Sequence, residues 1–131
     1  VPELMDAGVK VAFGHDCVMD PWYSLGSADM LEVASMGLHL AQMTGVEQMK
    51  ACFQAITHVP AAILGLEGYG LEEGCNADLV ILQAKDPVEA LRLKANRLFV
   101  IRRGKVISTS PPAESHLNLP GRPKIQNYIF Q

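Results

Sequence analysis

An α/β fold, present only in part, is what this sequence predicts, and three observations carry the prediction. The first is a short strand candidate, Val9 to Gly14, whose apolar positions Val9, Val11, Ala12 and Phe13 become nearly continuous towards its end. That texture belongs to a strand covered on both faces, which needs parallel neighbours that the rest of the sequence does not supply. The second is a stretch of helical periodicity across residues 27–65. The third is a change after Leu66, where Gly68, Gly70 and Gly74 punctuate a turn region and short strand candidates follow. Residues 1–65 therefore read as the end of a larger α/β unit, and residues 66–131 as part of a β-domain beside it.

The elements follow in order. Glu3 to Gly8 reads as the last turns of a helix closed by glycine, so the chain is expected to be part of a longer protein. The strand candidate stops at Gly14-His15-Asp16 and gives way to a polar-aromatic loop over residues 15–26. Ser27 is the expected N-cap of a long helix, with Asp29 in its first turn, where an acid suits the helix dipole. Met30, Leu31, Val33, Ala34, Leu38, Leu40 and Ala41 recur at three- and four-residue spacing, so the helix should be well buried. Gly37 in its interior costs about 1 kcal/mol relative to alanine, and close packing is the reason expected for it.

A second helix is expected over residues 46–56 and a helical turn over 60–65, with Pro60 in its first turn. Met36 and Cys52 read as core or near-core. Residues 77–82 form a strand, and residues 98–101 and 105–108 a hairpin around Arg103-Gly104. Pro87 to Leu93 can form a short helix. The tail from Pro111 has no periodicity and is expected to wrap a surface, with Tyr128-Ile129-Phe130 tucked into a groove.

Charge and cysteine usage narrow the function. The net charge is −3, from 11 basic and 14 acidic residues, so there is no electrostatic case for a nucleic-acid partner. The nearest basic cluster is Arg92, Lys94, Arg97, Arg102, Arg103 and Lys105, read as a solvated face. Three widely spaced cysteines without a C-x-x-C pair argue against a disulfide framework or zinc finger and point to a reducing, cytoplasmic setting. There is no run of 18 apolar residues, so no membrane partner is expected.

The chemistry gathers at one place. Asp16 directly follows the buried-looking strand. In a β/α barrel, function collects at the C-terminal ends of strands, where a carboxylate can bind a metal or take a proton from metal-bound water. An ordinary turn aspartate would occupy the same place, and the pattern alone leaves both readings open. His15 is adjacent, but neighbours at a strand end point different ways. It is expected to support the site from behind rather than to share a metal with Asp16. Trp22, in a strand-end loop, can wall a pocket and stack on a planar ligand, or simply pack the loop. His39, His58 and His116 lack the spacing of ligands, and neither an H-E-x-x-H nor a phosphate-binding glycine motif occurs.

Longer motifs carry a resemblance. L-M-D-A-G-V-K-V-A-F-G-H-D at 4–16, D-P-W-Y-S-L-G at 20–26 and M-L-E-V-A-S-M-G-L-H at 30–39 are followed by I-T-H-V-P-A-A-I-L-G-L at 56–66. Y-G-L-E-E-G-C-N-A-D-L-V-I-L at 69–82 and V-I-R-R-G-K-V-I at 100–107 complete the set. Together they resemble the C-terminal third of the amidohydrolase superfamily. G-H-D followed by D-P-W-Y points to its bacterial cytosine deaminase branch.

The resemblance implies a (β/α)8 barrel with a small β-sandwich, residues 9–14 being the eighth barrel strand and residues 66–131 returning to the sandwich. It implies that Asp16 binds one divalent metal ion, iron or zinc, in the full-length protein and shuttles protons as cytosine is deaminated to uracil and ammonia. It further implies that Trp22 walls the substrate pocket and that the full-length protein is a homo-oligomer. One position departs from the pattern. Where the best-known cytosine deaminases carry a second acid near the pyrimidine, this chain has Cys17, a smaller and less polar group. Cys17 therefore stands as a substrate-contacting residue that either tolerates the same ring or favours a related one: a modified pyrimidine, a triazine or an isoguanine-like base. The other metal ligands of the family pattern do not occur here, so the isolated chain is expected to bind catalytic metal poorly and to be inactive without the missing N-terminal part. A freestanding structural or interaction module is the alternative outside catalysis, since a partial barrel exposes more apolar surface than a monomer normally does.

Overall fold

The computed structural model describes residues 1–122 and the backbone of residues 125–126. Five helices and three principal strands alternate along it: α1 (Pro2–Asp6), α2 (Met30–Leu40), α3 (Val46–Gln54), α4 (His58–Ile63), β1 (Leu79–Leu82), α5 (Pro87–Leu93), β2 (Arg97–Arg102) and β3 (Lys105–Thr109). The fold class is α/β. The sheet is open and antiparallel, in the order β1-β2-β3, and no closed barrel forms among the described residues.

The helices form where polar side chains satisfy their free ends. Asp29 is the N-cap of α2: its carboxylate accepts from the Leu31 N–H at 2.9 Å, and its other oxygen pairs with Arg97 at 3.1 Å. Ser27, the expected cap, instead donates its hydroxyl to Glu32, because the helix starts two residues later than the apolar spacing implied. In α5, Asp86 accepts from the Glu89 N–H at 2.8 Å, and Pro87 takes the position where its missing N–H costs nothing. Buried Glu89 accepts in turn from the Lys85 N–H and pairs with Arg92. Helix α3 ends at Gln54, and α4 begins at His58, ahead of Pro60.

The core lies where α2, α3 and α5 meet. Leu31, Ala34 and Leu38 of α2 pack with Met43, Cys52, Ala90, Leu91 and Ala95, drawing on residues either side of position 65. Burying a side chain such as Leu91, 1% exposed, contributes about 2 kcal/mol. Cys52 is in this core as expected. Met36 is not: it is 51% exposed, and Leu40 lies open beside it. Helix α2 buries one stripe, and its other apolar face is bare. Periodicity places apolar residues on faces but does not say which faces find a neighbour.

The largest correction concerns residues 9–14. They are extended but belong to no ladder. Their backbone instead docks on the helices, the Phe13 N–H donating to the Ala55 carbonyl at 2.8 Å. A strand is a property of a pair, and no other described segment lies beside this one to pair with it. Gly37 is where the Phe13 ring crosses α2: a Cβ there would come within 2.7 Å of the ring, which is the close packing expected.

The C-terminal half follows the sequence more closely. β2 and β3 form a hairpin whose turn residues, Arg103 and Gly104, both have positive φ, the two-residue geometry that matches strand twist. β1 pairs antiparallel to β2, Val80 opposite Val100. Much of the basic cluster is paired: Arg92 with Glu89, Arg97 with Asp29 and Arg102 with Asp78. The tail is tied down by Gln83, whose side chain exchanges two 2.8 Å hydrogen bonds with the Ala113 backbone. Ser115–His116 (β4) pairs with Ile125–Gln126 (β5), a bridge too short to leave a periodic signal. Tyr128-Ile129-Phe130 lies outside the described residues. No helix among the described residues is long and apolar enough to cross a membrane.

Candidate active site

The extended segment ends in a tight turn that presents Asp16. The Cys17 N–H donates to the His15 carbonyl at 3.0 Å, closing a three-residue turn with Asp16 at its centre and φ at +65°. That sign of φ belongs to the rarer, strained form of such turns, and aspartate tolerates it better than most residues. The turn leaves the Asp16 side chain exposed. No hydrogen bond to its carboxylate forms among the described residues, so its lone pairs face solvent.

His15 lies behind the turn. Its Nδ1 is 3.0 Å from the Cys17 carbonyl, and its Nε2 is buried without a partner. The ring packs on Gly26, where an added Cβ would fall 2.6 Å from Cε1; φ at Gly26 is +94°, so both space and backbone call for glycine there.

The loop that follows is organised by Asp20. Its Oδ1 accepts from the backbone N–H groups of Trp22 and Tyr23 at 2.9 and 3.0 Å. The two donations hold its carboxyl below the usual range together with the Cys17 thiol, whose hydrogen bond to it is the larger cause. The same hydrogen bond, then burial, then the charge of Asp16 push the Cys17 thiol up. Trp22 stands at the rim, 87% exposed.

Beside this loop lies one open groove of about 670 Å³, lined by Phe13 together with Val33, Met36, Gly37 and Leu40 of α2. All four residues singled out in the sequence, His15, Asp16, Cys17 and Trp22, border it. Its volume is that of a small-molecule site, and its walls are apolar with a few polar groups. Two contributors were not anticipated. Glu32 enters from the first turn of α2, its carboxyl lowered chiefly by the Ser27 hydroxyl. Asp20 is the other: it lies outside the lining but holds the loop that carries Trp22, and an Asp two and three residues before the N–H groups it binds is a turn signature readable in D-P-W-Y. His39 and His58 stay apart from the groove. The first bonds back to the Ser35 carbonyl, and the second packs edge-on against Tyr69, ring centres 5.7 Å apart.

Among the described residues, no three His, Cys, Asp or Glu side chains gather closely enough to hold a metal ion. A catalytic zinc site takes three protein ligands and a structural one four. The groove offers a single free carboxylate, so these residues alone do not fit a catalytic divalent ion.

Comparison with known proteins places the chain. It is 38% identical to a 5-methylcytosine deaminase from Klebsiella pneumoniae, solved with 5-fluorocytosine, with a TM-score of 0.82 over 92% of this chain and 29% of that one. It is 32% identical over 108 residues to the N-isopropylammelide isopropyl amidohydrolase of Pseudomonas sp. (strain ADP), covering 82% of this chain and 27% of that protein. A pterin deaminase of Rhizobium rhizogenes is 33% identical over 111 residues, covering 84% and 25% respectively. The chain thus spans little more than a quarter of the length of the relatives it matches. The sequence profile of the amidohydrolase family matches residues 1–109, and with it the motifs, the fold and the relatives agree: this chain belongs to the amidohydrolase family.

Proposed function

We propose that this chain supplies one wall of a hydrolytic site that cleaves an exocyclic C–N bond of a nitrogen heterocycle, a cytosine or 5-substituted cytosine being the favoured ring. The observation that carries the reading is the placement of Asp16: a free carboxylate on a strained turn, at the mouth of a groove rimmed by Trp22. Such a carboxylate takes the proton of an attacking water and returns it to the departing amine. The indole gives a flat apolar face on which a planar ring stacks. The 38% identical relative acts on 5-methylcytosine and was solved with a cytosine derivative, while the more distant relatives act on a triazine and a pterin. All three names describe attack on a carbon that bears an exocyclic nitrogen.

In this reading, residues 9–14 pair in the whole protein with a neighbouring strand of a (β/α)8 barrel, and residues 66–131 join a sandwich domain. The bare faces of α2 and of the sheet are covered there, and the remaining polar groups of the site, with any divalent iron or zinc, are held mainly by residues beyond these 131. Cys17 borders the ring and narrows the choice among rings, with His15 supporting the turn.

A panel tests the proposal. The whole protein is assayed for amine release from cytosine, 5-methylcytosine, N-isopropylammelide and pterin. Turnover highest on one of the cytosines is expected. Turnover only on the triazine or pterin would overturn the choice of ring, and none on any of the four would overturn the reading.

A further inference from the structure

We infer that Asp20 is a brace that fixes Trp22 at the groove rim, and that Asp20 is therefore a positioning residue for ring binding. The inference rests on the groove being a heterocycle site and deepens that reading.

Little besides its own backbone holds Trp22. Its side chain is 87% exposed, so packing does little to fix it and the position of the indole depends on its backbone. That backbone is held by one residue. Asp20 accepts from the N–H groups of Trp22 and Tyr23 at 2.9 and 3.0 Å, and its own N–H donates to the Tyr23 carbonyl at 3.0 Å. The Met19 N–H donates to the Leu25 carbonyl at 3.0 Å and closes the base of the same loop. Pro21 lacks an N–H and has a fixed φ, which lowers the entropy lost in ordering the turn.

Two acids four residues apart thus divide the work. Asp20 spends its lone pairs on two backbone N–H groups. Asp16 forms no such bond among the described residues and is free for chemistry.

The sequence contains one tryptophan, so Trp22 is read without ambiguity by NMR of the ¹⁵N-labelled chain. Order parameters of the Trp22 and Tyr23 N–H groups are measured for the wild type, Asp20→Ala and Asp20→Asn. The wild type should lie near the rigid value of about 0.85 and Asp20→Ala below about 0.6. Asp20→Asn keeps an oxygen acceptor and should stay near wild type. Unchanged order in Asp20→Ala, or equal loss in Asp20→Ala and Asp20→Asn, would overturn the brace. Should Asp20→Ala unfold, amide hydrogen exchange in the wild type decides, and exchange of the Trp22 and Tyr23 N–H groups at free-peptide rates would overturn it. In the whole protein, Asp20→Ala should raise KM for cytosine about tenfold with kcat within about twofold. A loss confined to kcat would overturn the positioning role. Absence of turnover on any ring would overturn the heterocycle reading and leave the brace standing, since its order parameters need no ligand.

Discussion

Replacing Asp16 by glycine and by alanine should give stabilities in the reverse of the usual order. At most positions alanine is the more stable of the two by about 0.4–1 kcal/mol, because glycine has more conformational freedom to lose on folding. Asp16 has φ at +65° in a turn closed by the 3.0 Å bond from the Cys17 N–H to the His15 carbonyl. A Cβ in left-handed backbone costs about 1–2 kcal/mol. Setting about 1.5 kcal/mol of strain against about 0.7 kcal/mol of chain entropy leaves glycine ahead by roughly 0.8 kcal/mol. With a urea slope of about 1.5 kcal/mol/M, Asp16→Gly should unfold at a midpoint about 0.5 M above Asp16→Ala. Circular dichroism in urea measures both. Alanine matching or exceeding glycine would refute the strained turn, and with it the account of how the carboxylate is aimed.

Three further outcomes are expected. Leu91→Ala empties a side chain that is 1% exposed where α5 meets α2 and α3, and should cost about 3 kcal/mol, against less than about 1.5 for Leu91→Met; equal midpoints in urea would contradict the shared core. Gly26→Ala meets both positive φ and the His15 ring, and should cost about 2 kcal/mol while moving the His15 ring resonances; unmoved resonances would count against that packing. Asp20 has its folded-state carboxyl lowered, so its contribution is present above the unfolded value of about 3.9 and is lost as pH falls through the lower folded value. The Trp22 indole resonance should therefore hold steady to below about pH 4 and then shift; a midpoint at or above the ordinary aspartate value would contradict the hydrogen bonds assigned to Asp20.

How far the fold could be read from sequence depends on whether each signal was local. Pro87 to Leu93 was legible because proline and a capping aspartate act within one turn. The hairpin was legible because Arg103-Gly104 must take up positive φ between two apolar runs. Residues 9–14 misled because apolar continuity describes a strand's surroundings, and their ladder depends on a partner. Met36 misled for a related reason: Val33 and Leu40, three and four residues away, mark its face of α2 as apolar, but among the described residues that face is left 51% exposed at Met36.

The site divides in the same way. His15, Asp16, Cys17 and Trp22 were found through position and family motifs, and all border one groove. Glu32 was not singled out, since only the path of residues 12–17 across α2 brings it to the groove. Asp20 was read as part of a motif, while the hydrogen bonds that give it a task were readable in the spacing of its turn.

The central claim is that Asp16 carries the proton in C–N hydrolysis. The most direct measurement is kcat/KM of the whole protein on its best ring, for wild type and Asp16→Asn, with urea midpoints showing that the fold is kept. Asparagine preserves the turn but cannot accept the proton, so the account predicts a loss of about 10³-fold, within the range general acid–base groups contribute. A variant that folds as well as wild type and turns over within tenfold of it would contradict the claim.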